Sequence, residues 1–140
     1  MQTFLPYPEF ARCAAALDDR RLGKQRVEAL QILNALRGTT GGWLNHPAVK
    51  MWRGYEQALV HYALAMCDEW MRRGYADTVR AQLEQRYSDL DPLREVEMPP
   101  WLGSPEFHHS HRSNLVRKDV AFYQARFPDA DPAAPYVWPA

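Results

Sequence analysis

The sequence lacks the features that mark membrane-spanning, disulfide-linked and disordered chains. No apolar run in its 140 residues approaches the length of a membrane span, and its only cysteines, Cys13 and Cys67, are isolated. Isolated cysteines predict buried, reduced thiols, and the first residues do not form a secretion signal, so we expect a cytoplasmic protein. Hydrophobic residues make up 46% of the chain, which is enough for the core of a single domain over residues 1–140.

An excess of charge of either sign is also missing. The chain has 17 cationic and 17 anionic residues, a balance that argues against non-specific binding of nucleic acid by the overall field but leaves room for a local basic patch. Only three of the cations are lysines, namely Lys24, Lys50 and Lys118. The abundance of arginine suits bidentate contacts with phosphates, although GC-rich coding produces the same bias.

Alternating strand patterns and internal repeats are absent, and apolar residues recur instead at helical spacing. We therefore predict an all-α fold, a compact single-domain bundle of four to five helices. The expected helices cover about 9–17, 19–36, 47–73, 77–85 and 110–127. A long proline-rich loop at 87–107, pinned by Trp101, and an irregular C-terminal tail that packs back onto the body complete the prediction.

Two apolar stripes support the two longest helices. A Met and aromatic stripe in the second of them is typical of a core, and glycines predict a kink at Gly54 and a stop at Gly74. The stripe residues are Leu22, Val27, Leu30, Leu33 and Leu36 in the first helix, and Trp52, Tyr55, Leu59, Tyr62, Met66 and Trp70 in the second.

The densest cluster of charge lies in the first long helix. Four cations, Arg20, Arg21, Lys24 and Arg26, stand within seven residues, and Glu28 follows them. Lys24 and Glu28 are four residues apart, so they share one face of the helix. The pair is compatible with an ordinary surface ion pair, or with a carboxylate beside an amine that performs imine chemistry next to phosphates.

A second cluster lies near the expected start of the last helix. A helix N-terminus with hydroxyls and arginines predicts an anion site, with Ser110 as the N-cap. No acidic or cysteine partner is spaced to complete a metal site with the histidines, so we expect neither a metal nor another cofactor. The candidate residues for contact with substrate are His108, His111, Arg112, Ser113 and Arg117.

A third cluster contains Trp43, Asn45 and His46, just before Pro47. Asn45 is placed to cap the helix that begins at Pro47. Trp43 and His46 could lie at the mouth of a pocket, where aromatic rings next to cations suit stacking on extruded bases. A capped helix with an aromatic staple explains the same residues without any ligand.

In this order along the chain, the three clusters resemble the pyrimidine-dimer DNA glycosylase family, of the phage endonuclease V type. The resemblance implies a small, mostly helical, monomeric protein that acts on double-stranded DNA at the nucleoid. Members excise a damaged pyrimidine and then cleave the strand as AP lyases, through an imine between an amine and the sugar C1′. The family's essential acidic residue matches Glu28, and Arg21, Lys24 and Arg26 match its phosphate contacts, with Arg20 beside them.

Two features depart from the family. Its nucleophile is the α-amino group exposed when the initiator methionine is removed, but a bulky residue such as Gln2 normally prevents that removal. The amine of Met1 and that of Lys24 are therefore both candidates, or the imine chemistry is absent. Neutral net charge is the second departure, because enzymes of duplex DNA usually carry a basic surplus.

Two other functions fit the residues. A non-catalytic DNA-binding module would keep the scaffold without forming an imine. A nucleotide or small-molecule enzyme would have a closed pocket around Glu28, His46 and His111. If Glu28 acts on an amine, the N-terminal segment must pack against the first long helix, because proton transfer requires hydrogen-bond reach.

Overall fold

Helices supply the regular structure in residues 1–38, 44–89 and 96–139, the part of the chain that the computed structural model describes. These ranges contain no strand, and the all-α prediction is confirmed. Two of the seven helices have only four residues, which explains the excess over the four or five predicted. In chain order the helices are α1 (Phe10–Ala16), α2 (Asp19–Leu36), α3 (Pro47–Lys50), α4 (Glu56–Arg72), α5 (Val79–Arg86), α6 (Pro105–Lys118) and α7 (Val120–Tyr123).

Helix α2 has the predicted bounds and packs against α4, which also packs against α1. Asp18 caps it by accepting a hydrogen bond from the backbone N–H of Arg21. Its buried face differs from the predicted stripe, because Val27 is 42% exposed while Gln25 is 1% exposed. Five residues from Leu22 to Val27 turn a helix through about 500°, which leaves Val27 far from the face that Leu22 buries.

The predicted helix over 47–73 is wrong in one respect, because it is two helices. Residues 51–54 form a turn between α3 and α4, and Gly54 has a φ of 84°, in the left-handed region that favours glycine. The expected kink at Gly54 is therefore a break. In the predicted aromatic stripe Trp52 and Tyr62 are fully buried, whereas Tyr55 and Trp70 are only partly buried. The stop at Gly74 is confirmed.

The cap of α3 is also corrected. His46, not Asn45, is the N-cap residue, and its Nδ1 atom accepts a hydrogen bond of 3.0 Å from the backbone N–H of Ala48. Pro47 has no N–H, so Ala48 carries the first donor that needs a partner, and the ring immediately before the proline reaches it. Asn45 is exposed.

The last long helix begins five residues earlier than predicted. Ser104 caps α6, so Ser110 lies inside the helix and donates a hydrogen bond of 2.7 Å from its hydroxyl to the carbonyl of Phe107. Helix α6 ends before Asp119, which is the N-cap residue of α7. The predicted proline-rich loop ends earlier than expected because α6 begins at Pro105, and its residues 90–95 lie outside the described part of the chain. Trp101 pins the described part as predicted, by donating its indole N–H to the carbonyl of Met51 at 3.0 Å.

The C-terminal tail packs back onto α6, as predicted. Its Val137 N–H donates a hydrogen bond of 3.2 Å to Ser110 Oγ, and the ring of Tyr136 lies 4.7 Å from that of His111. Both cysteines are buried and unpaired, and burial raises the pKa of each thiol to about 12. None of the helices in the described ranges is long and apolar enough to cross a membrane.

Candidate active site

The N-terminal segment, residues 1–6, lies in a groove where buried side chains bind its backbone. Gln25 donates a hydrogen bond of 2.9 Å to the carbonyl of Gln2 and accepts one of 2.9 Å from the N–H of Phe4. Trp52 donates its indole N–H to the hydroxyl of Thr3 at 3.0 Å. The segment therefore packs against α2, which is the arrangement that a reaction between the α-amino group and Glu28 requires.

Helix α6 holds the far end of the same segment. His111 accepts a hydrogen bond of 2.9 Å from the N–H of Leu5, and His108 donates one of 2.7 Å to the carbonyl of Leu5. Arg112 donates to the carbonyl of Pro6 at 2.7 Å. These three residues, predicted to contact substrate, are engaged in fixing the N-terminal segment, because α6 starts early enough to bury this part of the helix.

The two histidines perform this task in their neutral forms. Burial lowers the pKa of His111 to about 3, so that its Nδ1 atom is an acceptor over a wide range of pH. Burial also lowers the pKa of His108, whose Nε2 atom accepts a hydrogen bond of 2.9 Å from the N–H of Gly103 while Nδ1 faces the carbonyl of Leu5. One neutral tautomer of His108 satisfies both contacts.

A pocket of about 360 Å³ opens between the N-terminal segment, α2 and the end of α6. Its wall contains one acidic side chain, Glu28, and several cationic ones. It also contains the backbone and side chains that begin the N-terminal segment. The lining residues are Met1, Gln2, Phe4, Arg20, Arg21, Lys24, Gln25, Glu28 and Lys118.

Glu28 is half-buried, and its carboxylate is oriented by α2 itself. The Nε2 atom of Gln25 donates a hydrogen bond of 2.8 Å to Oε2 of Glu28. The carboxylate thus faces the pocket in company with Met1 and Lys24, the two residues that carry the candidate amines.

The cations of α2 divide between two surfaces. Arg20 and Lys24 are exposed at the pocket, and Arg21 lines it while its guanidinium pairs with Asp18 at 3.2 Å. Arg26 does not line the pocket, because two residues from Glu28 correspond to a rotation of about 200° around the helix. Its side chain forms an ion pair with Asp77 and lies over the ring of Trp70, 4.5 Å from the centroid.

Asn45 and His46 of the third predicted cluster do not line the pocket. Burial and then the positive charge of the Met1 amino group lower the pKa of His46, whose ring meets the edge of Trp138 at 6.3 Å. Asn45 is exposed outside the lining, and Trp43 lies outside the described residues.

The other two candidates from α6 do not line the pocket either. Ser113 is fully buried, and Arg117 donates hydrogen bonds to the carbonyls of Pro132 and Ala134 in the tail. The pocket wall also contains residues that were not candidates from the sequence, namely Gln2, Phe4, Gln25 and Lys118. Gln25 could have been noticed in the sequence as a polar residue on the buried face of α2. The position of Lys118 could not, because it depends on how α6 packs near the start of α2.

One comparison with known proteins identifies a family. A family model described as pyrimidine dimer DNA glycosylase matches residues 1–83, which include the N-terminal segment and the whole of α2. No curated protein and no solved structure matches the chain significantly. Since the family model covers more than half of the chain, including Met1 and Glu28, the chain belongs to the pyrimidine dimer DNA glycosylase family.

Proposed function

We propose that this protein is a DNA glycosylase with AP lyase activity, acting on damaged pyrimidines of the dimer type in double-stranded DNA. The observation that carries the proposal is the pocket, where Met1, Glu28 and a rim of cations meet. Membership of the family supports the substrate class. The proposal includes a monomer that folds as a single domain over residues 1–140, since every residue that lines the pocket belongs to one chain and the site needs no second copy.

The proposed reaction begins with attack of an amine on C1′ of the damaged nucleotide. The N–C1′ bond forms as the glycosidic bond breaks, and the base leaves with the bonding electron pair and takes up a proton. Loss of a proton from the nitrogen and opening of the sugar ring give an imine. Removal of a C2′ proton then expels the 3′ phosphate by β-elimination, and water hydrolyses the imine to release the enzyme.

In this mechanism Glu28 serves as the general base and as an electrostatic partner. Its carboxylate takes up the proton that the amine loses, and its negative charge stabilises the positive charge that develops on the sugar. The hydrogen bond from Gln25 to Oε2 leaves Oε1 of Glu28 available for these roles.

The cations at the rim suit the phosphates on either side of an extruded nucleotide. Arg20, Lys24 and Lys118 are exposed there, while Arg21 lines the same wall. A local rim of this kind accounts for binding to DNA by a chain of zero net charge, because contacts with phosphate are short-range at physiological salt.

Two amines compete for the role of nucleophile. The α-amino group of Met1 is our first choice, because the N-terminal segment is anchored by Gln25 and brings Met1 into the wall of the pocket that also contains Glu28. Lys24 is the second, since it lines the same pocket one helical turn before Glu28.

Borohydride trapping tests the proposal on two oligonucleotides, one with an abasic site and one with a thymine dimer. We expect a covalent adduct on both, mapped by peptide mass spectrometry to Met1 or to Lys24. Glu28→Gln should slow trapping by about a hundredfold, the size of a typical loss of general base catalysis. Glu84→Gln, an exposed residue of α5, is the matched control and should trap at the wild-type rate.

Two further variants separate the amines. Lys24→Arg keeps the charge but removes the primary amine, and Lys50→Arg is its control at an exposed site in α3. If Lys24→Arg forms the adduct at the wild-type rate, Lys24 is excluded, and the mapped position of the adduct then distinguishes Met1 from Lys118, which lines the same pocket. Absence of any adduct with wild-type protein that is folded and bound to the DNA would rule out the lyase mechanism.

A further inference from the structure

We infer that Gln25 is a positioning residue that sets the α-amino group of Met1 and the carboxylate of Glu28 in a fixed register. The inference rests on the proposed function, since it names the residue that aligns the two groups of that reaction. Gln25 belongs to α2, as Glu28 does, but its side chain reaches across to the N-terminal segment.

The side-chain amide of Gln25 is fully used. Its Nε2 atom donates one hydrogen bond of 2.9 Å to the carbonyl of Gln2 and another of 2.8 Å to Oε2 of Glu28. Its Oε1 atom accepts from the N–H of Phe4 at 2.9 Å and lies 2.6 Å from the hydroxyl of Tyr62, whose one proton it shares with the carbonyl of Phe4 at 2.8 Å. Two donors and two acceptors are all that a primary amide offers.

Only one orientation of this amide satisfies its neighbours. Reversing it would turn the NH₂ group toward the N–H of Phe4, and would turn the oxygen toward the carbonyl of Gln2 and the carboxylate of Glu28. The network therefore fixes which edge of Gln25 faces the pocket. Since Gln25 is 1% exposed, water has no access to replace these contacts.

The position of the α-amino group follows from this anchor. The Gln2 carbonyl is separated from the Met1 amine by the backbone of these two residues, which spans at most about 7 Å when extended. Holding that carbonyl therefore limits how far the amine can move from the pocket wall that contains Glu28, whose carboxylate the same amide holds. Displacement by about 1 Å is enough to slow a reaction of this kind by a hundredfold.

The test is Gln25→Glu, which preserves the size of the side chain and turns its donor edge into an acceptor. At about pH 8 the introduced carboxylate faces the carbonyl of Gln2 and the carboxylate of Glu28, and trapping on abasic DNA should be at least about tenfold slower. The ratio of variant to wild-type rates should rise by about threefold toward pH 6, because protonation restores a donor at that edge. The ratio of the two rates is used because the nucleophilic amine titrates in both proteins, and its effect on the rate cancels.

Gln85→Glu, the same substitution at an exposed site in α5, is the matched control and should follow the wild type at every pH. If wild-type protein forms no adduct, the proposed function fails, and this inference fails with it. If wild-type protein forms the adduct but the Gln25→Glu ratio does not change with pH, the inference alone is overturned and the network is only structural.

A second variant keeps the test decisive if Gln25→Glu does not fold. Gln25→Met has a similar length without hydrogen bonds, and it is measured in the wild-type and Glu28→Gln backgrounds. If Gln25 acts by positioning the amine relative to Glu28, Gln25→Met should slow trapping by about tenfold in the wild-type background. In the Glu28→Gln background it should slow trapping by less than about threefold. Equal losses in the two backgrounds would contradict the inference.

Discussion

The backbone N–H of Leu5 donates a hydrogen bond of 2.9 Å to the Nδ1 atom of His111, which lies 106 positions further along the chain. The bond ties the segment that carries the α-amino group to a helix beyond the region that the family model matches. It exists only while His111 is neutral, because a protonated ring has no acceptor.

This dependence predicts that the protein loses stability in mild acid. The pKa of His111 falls from 6.5 to about 3 in the folded protein, so its contribution is complete above pH 6.5 and declines as the pH falls toward 3. At pH 5 the loss is about 2 kcal/mol from His111 alone. Urea unfolding at pH 7.5 and at pH 5 measures this difference in the free energy of unfolding.

His111→Asn is the control for this effect. An Asn oxygen can accept the Leu5 N–H without titrating, so the variant should be less stable than wild type at pH 7.5 but should lose about 2 kcal/mol less on acidification. If the free energy of unfolding of the variant falls as much as that of wild type on acidification, groups other than His111 cause the acid sensitivity.

Lys118→Gln should weaken binding to damaged DNA and reduce its dependence on salt. Lys118 is exposed at the pocket rim, and one lost phosphate contact lowers the slope of log K against log salt by about 0.9. Fluorescence anisotropy at several salt concentrations measures that slope. Arg86→Gln, exposed on α5 away from the pocket, should leave the slope at its wild-type value.

Ser113→Ala should leave DNA binding unchanged and should not destabilise the fold. Ser113 is fully buried, and its hydroxyl has no hydrogen-bond partner among the described residues. Removing an unsatisfied buried hydroxyl relieves a cost of about 1 kcal/mol. We expect the free energy of unfolding to rise by up to that amount. A fall of about 1 kcal/mol or more would mean that the hydroxyl of Ser113 makes a stabilising hydrogen bond.

Local patterns predicted the fold better than they predicted the caps and breaks. The bounds of helix α2 follow from its apolar spacing, although Val27 in that stripe is exposed, and the buried positions of α4 follow from a similar spacing. The break near Gly54 could be expected only as a kink, because a glycine tolerates either conformation and tertiary packing decides between them. The early start of α6 at Pro105 was hidden by the prolines before it.

The candidate site was partly accessible from sequence for a similar reason. Glu28 and Lys24 share a helical face by spacing alone, and the structure has both in the pocket. The histidines of α6 have the residue types of a binding site, but only tertiary contacts reveal that His108 and His111 are turned toward Leu5. Sequence spacing cannot distinguish a buried histidine that holds the backbone from one that contacts a ligand.

Gly23→Ala should destabilise the packing of α2 on α4. A methyl group at Gly23 would lie 3.0 Å from two ring carbons of Trp70, which also stacks on Tyr75 at 4.2 Å and contacts Arg26. Overpacking costs about 1 to 3 kcal/mol, and the higher helix propensity of alanine offsets about 1 kcal/mol of it. Thermal or urea unfolding should show a net loss of about 1 kcal/mol.

The cause can be isolated by repeating the substitution in a Trp70→Leu background. There the methyl group no longer meets the indole, so Gly23→Ala should become stabilising by about 1 kcal/mol, the gain in helix propensity alone. The change of sign measures the steric coupling between Gly23 and Trp70. If the substitution destabilises both backgrounds equally, the glycine is needed for the backbone of α2 and not for its distance from α4.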